Sequence, residues 1–303
     1  MEKLIIDAHS HLWLKQDTIV NGQRIHQIET NRSRSMFFGE ERQMLPPFMT
    51  DGQNTAERFL SNMDYAQVSA AVVTQEFIDG LQNDYLMQVE MAYPERFFTF
   101  GMADYRQAGF LNQAEELMQG FRGMKVPAAR LPQRFLTVEM MRMMHMMEDS
   151  GKILGIELQD GDAQTGQMRE IIEECPKLKI AIGHFGMVTR LGWLEQIKFA
   201  RNENVYVESG GITWLFNSEF YPFPSAVRAI KEAAELVGME KLMWGSDYPR
   251  TITAITYRMS YDFIEKSTEL TDTEKRQFLG ENARKFYGFG ELPRLPYIKN
   301  MSE

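Results

Sequence analysis

His9 and His11, two residues apart in the segment IIDAHSH, are the first residues whose types and spacing could do chemistry. On an extended strand, residues i and i+2 point to the same side, so both imidazoles reach one volume. Imidazole pairs in that geometry are good ligands for zinc and similar divalent ions. A bare HxH arises often by chance, and its place at the end of an apolar run gives this one weight. Two further residues hold the same kind of place: His184 closes KIAIGH, and Asp247 follows LMWGS. Taken singly, His184 reads equally well as a core histidine with one backbone hydrogen bond, and Asp247 as a turn former or helix cap. Three histidines and an aspartate that all end apolar runs point to a site.

Softer candidates surround these four. Lys125 ends GMKV and suits a substrate-anion contact or a buried ion pair. Arg250 beyond Asp247 and Arg190 beyond AIGHFG could grip a carboxylate bidentately, or simply be solvated. Trp13 and Tyr248 either line a pocket or pack, and Gln75 and Glu76 end a run that could face the same cavity. The tract MMRMMHMMED has the composition of a copper site, but Met at helical spacing reads as adaptable core packing, and His145 goes with it. His26 has no assignable role.

The elements that must position these residues are short apolar runs alternating with amphipathic ones. Strands are expected at Leu4–His9, Ala70–Thr74, Phe97–Ala103, Gly123–Val126, Ile153–Leu158, Lys179–His184, Val205–Glu208 and Lys241–Gly245. Their brevity and lack of charge on both faces suit strands covered on both sides of a parallel sheet. Helical patterns lie between them, opening for example at Thr55 and ending at Pro94, Gly120, Gly151 and Pro176. Eight strands each followed by a helix argue for an α/β fold of the (β/α)8 TIM-barrel type. An open doubly wound sheet shares the local pattern. With no linker or break in composition, residues 1–303 read as a single domain. One connection is anomalous: residues 14–54 form a loop of about forty residues after the first strand. It is expected to cover the active site, or else to be a dimer contact or a partly disordered loop.

Composition narrows the class. The chain has 303 residues, 44% hydrophobic and 25% charged, with one cysteine, Cys175, that has no intrachain partner for a disulfide. There is no apolar run of membrane-spanning length and no signal-peptide pattern at MEKLIIDAHSH, so the expected compartment is cytoplasmic and no membrane partner is expected. A net charge of −9 argues against nucleic acid as a partner.

The segments IIDAHSH, FRGMKVP, AIGHFG, NVYVESGG, LMWGSDYP and LGENARKFYG span nearly the whole chain, and together they resemble the amidohydrolase superfamily. Within it, they are similar to the amidohydrolase-2 group of lactonases and non-oxidative decarboxylases such as aminocarboxymuconate semialdehyde decarboxylase. The resemblance implies one divalent ion, zinc with manganese as the alternative, held by His9, His11 and Asp247. It makes Asp247 and His184 the catalytic groups that move protons. Metal-binding relatives place a histidine on the fifth strand where this chain reads ILGIELQDGD, so Glu157 is the expected fourth ligand. Some lactonases of the group that lack this histidine work without metal, which leaves a metal-free enzyme open. The implied activity is hydrolysis of a small carboxylate-bearing lactone, ester or amide, with Lys125, Arg190, Arg250, Trp13 and Tyr248 around the substrate. A metal-dependent decarboxylase is the alternative, and an inactive ligand-binding barrel a third reading. Such barrels often form homodimers, and the aromatic segment Trp214–Phe223 suits either that contact or a roof over the pocket.

Overall fold

The computed structural model describes residues 3–303. Eight of its strands are parallel: β1 (Ile6–His11), β6 (Ala70–Thr74), β7 (Phe97–Thr99), β8 (Gly123–Val126), β9 (Ile153–Ile156), β10 (Lys179–Ile182), β11 (Val205–Glu208) and β12 (Leu242–Met243). The other four, β2 (Asp17–Val20), β3 (Gln23–Ile28), β4 (Asn31–Phe37) and β5 (Glu40–Gln43), are antiparallel neighbours. The parallel strands pair in the orders β1-β6-β7 and β12-β11-β10-β9-β8. Backbone hydrogen bonds join these two sheets at both outer edges. On one side Gly101 N donates to Gly123 O (3.0 Å) and Lys125 N to Gly101 O (2.8 Å). On the other, Ala8 N donates to Trp244 O (2.8 Å) and Asp247 N to His9 O (2.9 Å). Several strands are shorter than expected: β7 ends at Thr99, β9 at Ile156 and β12 at Met243, although buried apolar residues continue past each.

Both faces of these strands are covered, as their continuous apolar character requires. Ala71, Val73, Leu154, Ile156, Ile180 and Ile182 belong to a large core shared with the flanking helices. Alternate residues, including Ile6, Ala8, Val72, Phe98 and Phe100, form a second core with the C-terminal aromatics Phe286, Tyr287 and Phe289. The helix Ala56–Tyr65 starts where Thr55 accepts a hydrogen bond from Arg58 N, and Val138–Asp149 where Thr137 accepts from Met140 N. That second helix buries Met140, Met143, Met144 and Met147, so the methionine tract is core packing. Among the described residues no helix is long and apolar enough to cross a membrane.

The segment expected as a long loop is instead the four-stranded antiparallel sheet β2-β3-β4-β5. Its turns explain the difference. Asn21-Gly22 and Phe38-Gly39 both have positive φ at each residue (51° and 74°, 50° and 85°), the conformation of two-residue hairpins. Trp13 and Asn54 exchange backbone hydrogen bonds of 3.0 and 2.9 Å, so the insert leaves and returns at one point beside His11. Trp13 packs with Leu45 and Met49 in a small core under the sheet.

The closing motif LGENARKFYG seals the end of the parallel sheet opposite the strand C-termini. Asn282 Nδ2 donates to Met239 O (2.8 Å) and Leu242 O (2.7 Å), and Phe278 O accepts from Trp244 N (2.8 Å). Gly280 lies so close to β1 that a Cβ there would be 2.3 Å from Leu4 O. Gly280→Ala is therefore expected to cost about 1–3 kcal/mol in chemical denaturation. Gly290→Ala, with nothing within 4 Å, should change stability by less than about 0.5 kcal/mol.

Candidate metal centre and active site

Three buried side chains, His9, His11 and Asp247, and the half-buried His184 meet where β1 and the segments after β10 and β12 end. His9 and His11 project together from β1, with Nε2 atoms 3.1 Å apart. Asp247 arrives from the turn after β12 in a left-handed conformation (φ 59°), which aspartate tolerates better than most residues. Its Oδ1 lies 3.6 Å from His9 Nε2 and 3.2 Å from His11 Nε2. His184 follows β10, also at positive φ (57°), with its ring 4.5 Å from that of His9.

Small residues make this convergence sterically feasible. A Cβ on Gly210 would sit 2.8 Å from His9 Cγ, and one on Gly245 would sit 2.7 Å from His9 Cβ. The glycines that follow β11 and β12 therefore leave room for the imidazole.

Each ring is oriented from behind. His9 Nδ1 is 2.6 Å from Glu208 Oε1, and His11 Nδ1 is 2.8 Å from Asp79 Oδ2. The carboxylate hydrogen-bonded to His9 Nδ1 fixes that ring's tautomer and turns its Nε2 lone pair toward Asp247, whereas Asp79 stands beside His11 Nδ1 as a charge partner without a hydrogen bond. Asp247 Oδ2 accepts from Trp214 Nε1 (2.8 Å), whereas its buried Oδ1 has no hydrogen-bond donor among the described residues. A tetrahedral divalent ion with bonds of about 2.0–2.1 Å holds its ligands about 3.3–3.4 Å apart. The separations of 3.1, 3.2 and 3.6 Å bracket that value, so the trio fits such an ion.

Glu157 stands apart from the trio. Its Oε1 is 2.6 Å from Lys125 Nζ and 3.3 Å from His184 Nε2, but 3.9 Å from His9 Nε2. It forms a second group with His9 and His184. The pull of Lys125 accounts for this: a buried ammonium needs a carboxylate at contact distance. Lys125 is thus in a buried ion pair, one of its two expected placements.

Electrostatics follows from burial. Glu76, Asp79, Glu157, Glu208 and Asp247 are all buried, and the cations paired with them are Lys125, Arg130 and Arg250. With all ionised, two negative charges remain. Desolvation lowers the affinity of buried imidazoles for protons, and His9 is lowered. For His11 burial is outweighed by Asp79 and Asp247, which raise it to about 9. For His184 burial is outweighed by Glu157, again to about 9. Asp247 and Glu157 are pulled below the usual carboxylate range despite burial, Asp247 mainly through His11 and Arg250, Glu157 mainly through Lys125 and His184. Burial raises Glu76, against the pull of Arg130.

The site opens into a cavity of about 460 Å³ lined among others by His11, Glu76, Arg130, Glu157, Trp214 and Arg250. Arg250 lies here, 3.6 Å from Asp79. Trp214 makes part of the aromatic segment a wall of the cavity. Three expected substrate contacts lie elsewhere. Trp13 is buried in the insert, where Nε1 donates to Gly52 O (3.1 Å). Tyr248 is buried and stacked on Phe59 (4.1 Å). Arg190 is exposed and pairs with Asp160 (3.2 Å). Glu208, Asp79 and Arg130 were not singled out by spacing. Glu208 and Asp79 each carry a signal, an acid directly after an apolar run in VYVE and FID. Arg130 carries none. A larger open groove of about 1230 Å³ adjoins the cavity, sharing Ala129, Arg130 and Gln159 with it.

Comparisons with known proteins bear on the fold and the family. No curated protein matches the chain. A probable 2-pyrone-4,6-dicarboxylic acid hydrolase from Acinetobacter baumannii with citric acid bound is similar in fold (TM-score 0.68, 18% identity, 95% of this chain and 100% of that one). So is a Burkholderia multivorans amidohydrolase with bound zinc (TM-score 0.66, 17% identity, 96% and 100%). A Novosphingobium aromaticivorans 5-carboxyvanillate decarboxylase, complexed with manganese and a nitrobenzoic acid, aligns over 77% of this chain and 80% of its own (TM-score 0.56, 18% identity). The amidohydrolase family model matches residues 6–289, and the chain belongs to that family.

Proposed function

We propose that this chain is a metal-dependent hydrolase that opens a small, carboxylate-bearing lactone or related ester or amide. The observation that carries the reading is the trio of His9 Nε2, His11 Nε2 and the donorless Asp247 Oδ1. Three ligands with an open fourth position are the pattern of catalytic sites, and zinc or manganese suits the nitrogen and oxygen donors. The zinc- and manganese-containing structures of similar fold support the same reading. The eight parallel strands, joined at both edges, support a (β/α)8 barrel, read as one domain over residues 1–303. The insert at 14–54 is part of the active-site face. A cytoplasmic location and pairing through the exposed Phe220 belong to the same reading.

A bound divalent ion supplies Lewis acidity to a carbonyl oxygen and lowers the pKa of a water. The protein's own residues do the rest. Arg250 and Arg130 hold the substrate carboxylate in the cavity. Asp247, kept ionised by its neighbours, takes the proton of the water that adds to the carbonyl carbon. The ring C–O bond breaks, and His184, kept protonated by Glu157, gives a proton to the departing oxygen. A hydroxy acid is the product.

A second reading is decarboxylation, favoured by the same protonated His184. It could deliver its proton to the carbon that loses CO₂, and a 5-carboxyvanillate decarboxylase shares the fold. Lactone opening and trapped CO₂ are separate readouts on one preparation.

Elemental analysis should find about one equivalent of zinc or manganese in protein purified without added metal. The ion should be lost in His9→Ala and kept in Glu157→Ala, whose carboxylate is committed to Lys125. Loss in Glu157→Ala would make Glu157 a ligand, and no metal in the wild type would leave the histidines as substrate-polarising groups. Asp247→Asn should lower kcat for lactone opening by about 10²–10⁴-fold, and full turnover would overturn the assignment. Glu208→Ala, which frees the His9 ring, should weaken metal affinity about 10–100-fold in a chelator competition.

A further inference from the structure

The inner cavity alone falls within the range of about 300–1,000 Å³ usual for small-molecule sites. The groove that continues from it is larger, at about 1230 Å³. One wall is the β2–β3 hairpin of the insert, and the others are the segments after β7 and β8. The walls are held to each other: Arg106 Nη1 donates to Ile19 O (2.7 Å), and its guanidinium lies 4.2 Å over the Phe77 ring. This contact fixes the hairpin in place without any ligand.

Tyr105, Phe110 and Phe135 give the groove an aromatic, largely covered floor, with the exposed Ile19 at its rim. Its charge runs against that of the whole molecule. In a chain of net charge −9, four arginines (Arg24, Arg106, Arg130, Arg134) and two aspartates (Asp17, Asp104) line it. Arg24 is matched by Asp17, Arg106 by Asp104 and Arg130 by Glu76. Arg134 is exposed and has no ion-pair partner among the described residues. A single-sign excess over an apolar floor attracts an anion carried on a flat apolar group.

Resting on the hydrolase reading above, we propose that the substrate is an extended molecule: its reacting carbonyl and the carboxylate held by Arg250 and Arg130 enter the inner cavity, and an aromatic segment ending in a second carboxylate lies in the groove against Arg134. Arg130, common to both compartments, marks the passage between them. The hairpin of the insert is then a specificity element, and Arg134 selects for a ligand long enough to enter the groove as well as for its charge.

Isothermal titration of the metal-loaded protein with biphenyl-4,4′-dicarboxylate and with benzoate tests this. The dicarboxylate should bind the wild type at least about tenfold more tightly than benzoate. Arg134→Glu, and independently Ile19→Asp, should each weaken dicarboxylate binding by about tenfold and leave benzoate unchanged. Both positions are exposed, so the fold should tolerate the changes. Equal affinity of the two probes for the wild type, no binding of either, or unchanged dicarboxylate affinity in both variants would overturn the proposal. Turnover plays no part in this readout. Failure to open lactones therefore counts against the hydrolase reading alone, and failure here counts against the extended substrate alone.

Discussion

A carboxylate taken out of water must be met by a cation, a proton or several hydrogen bonds, and five of them converge at one end of this sheet. Lys125, Arg130 and Arg250 answer three. The other two charges can be answered by protons on His11 and His184, both held up to about 9, or by one divalent cation. The two solutions use the same residues but leave them in different states. With protons, His11 becomes a donor to Asp247; with a cation, its Nε2 lone pair is a ligand. Placement of nearly every polar group in the site follows from that single requirement.

The surrounding structure keeps the acids from finding other partners. Asp7, one of the most buried groups in the chain, lies behind the trio and is pushed up to about 7 by burial. It accepts from Ser246 N (2.8 Å), Ser246 Oγ (2.5 Å) and Tyr257 OH (2.7 Å), which anchors the turn that presents Asp247. Asp7 on β1 thus anchors, through Ser246, the turn that carries the functional carboxylate of Asp247. Backbone bonds from Asp247 N to His9 O and from His11 N to Tyr248 O set the two strand ends against one another. The separation of His11 from Asp247 is therefore built into the sheet and does not rely on flexible side chains.

Much of this was legible in the sequence. Apolar runs marked all eight parallel strands, and His9, His11, His184 and Asp247 all end beside one another because each closes such a run. What escaped depended on partners distant in sequence. The ion pair of Glu157 with Lys125, 32 residues earlier, is one such contact, and it sets the glutamate beside His184 as well as His9. Trp13 and Tyr248 are near the site in sequence and turned away from it in space, since large apolar rings are better satisfied in a core. The insert shows a different failure: Asn21-Gly22 is a hairpin signal, but its strands are too polar to register as apolar runs. Arg130 offered nothing to read, because an arginine's partner is set by tertiary structure.

The pinched base of the insert, where Trp13 and Asn54 bond to each other, separates two tasks along the chain. Everything that touches the reacting atoms lies on the parallel strands and the short segments after them, while one wall of the outer groove lies on a sheet whose chain enters and leaves at one point and which is steadied from outside by Arg106. Residues can be added to or removed from the tip at Asn21-Gly22 without altering the register of β1. In evolutionary terms, the reach of the site can drift while its chemistry stays under constraint. In engineering terms, the hairpin is the exchangeable part.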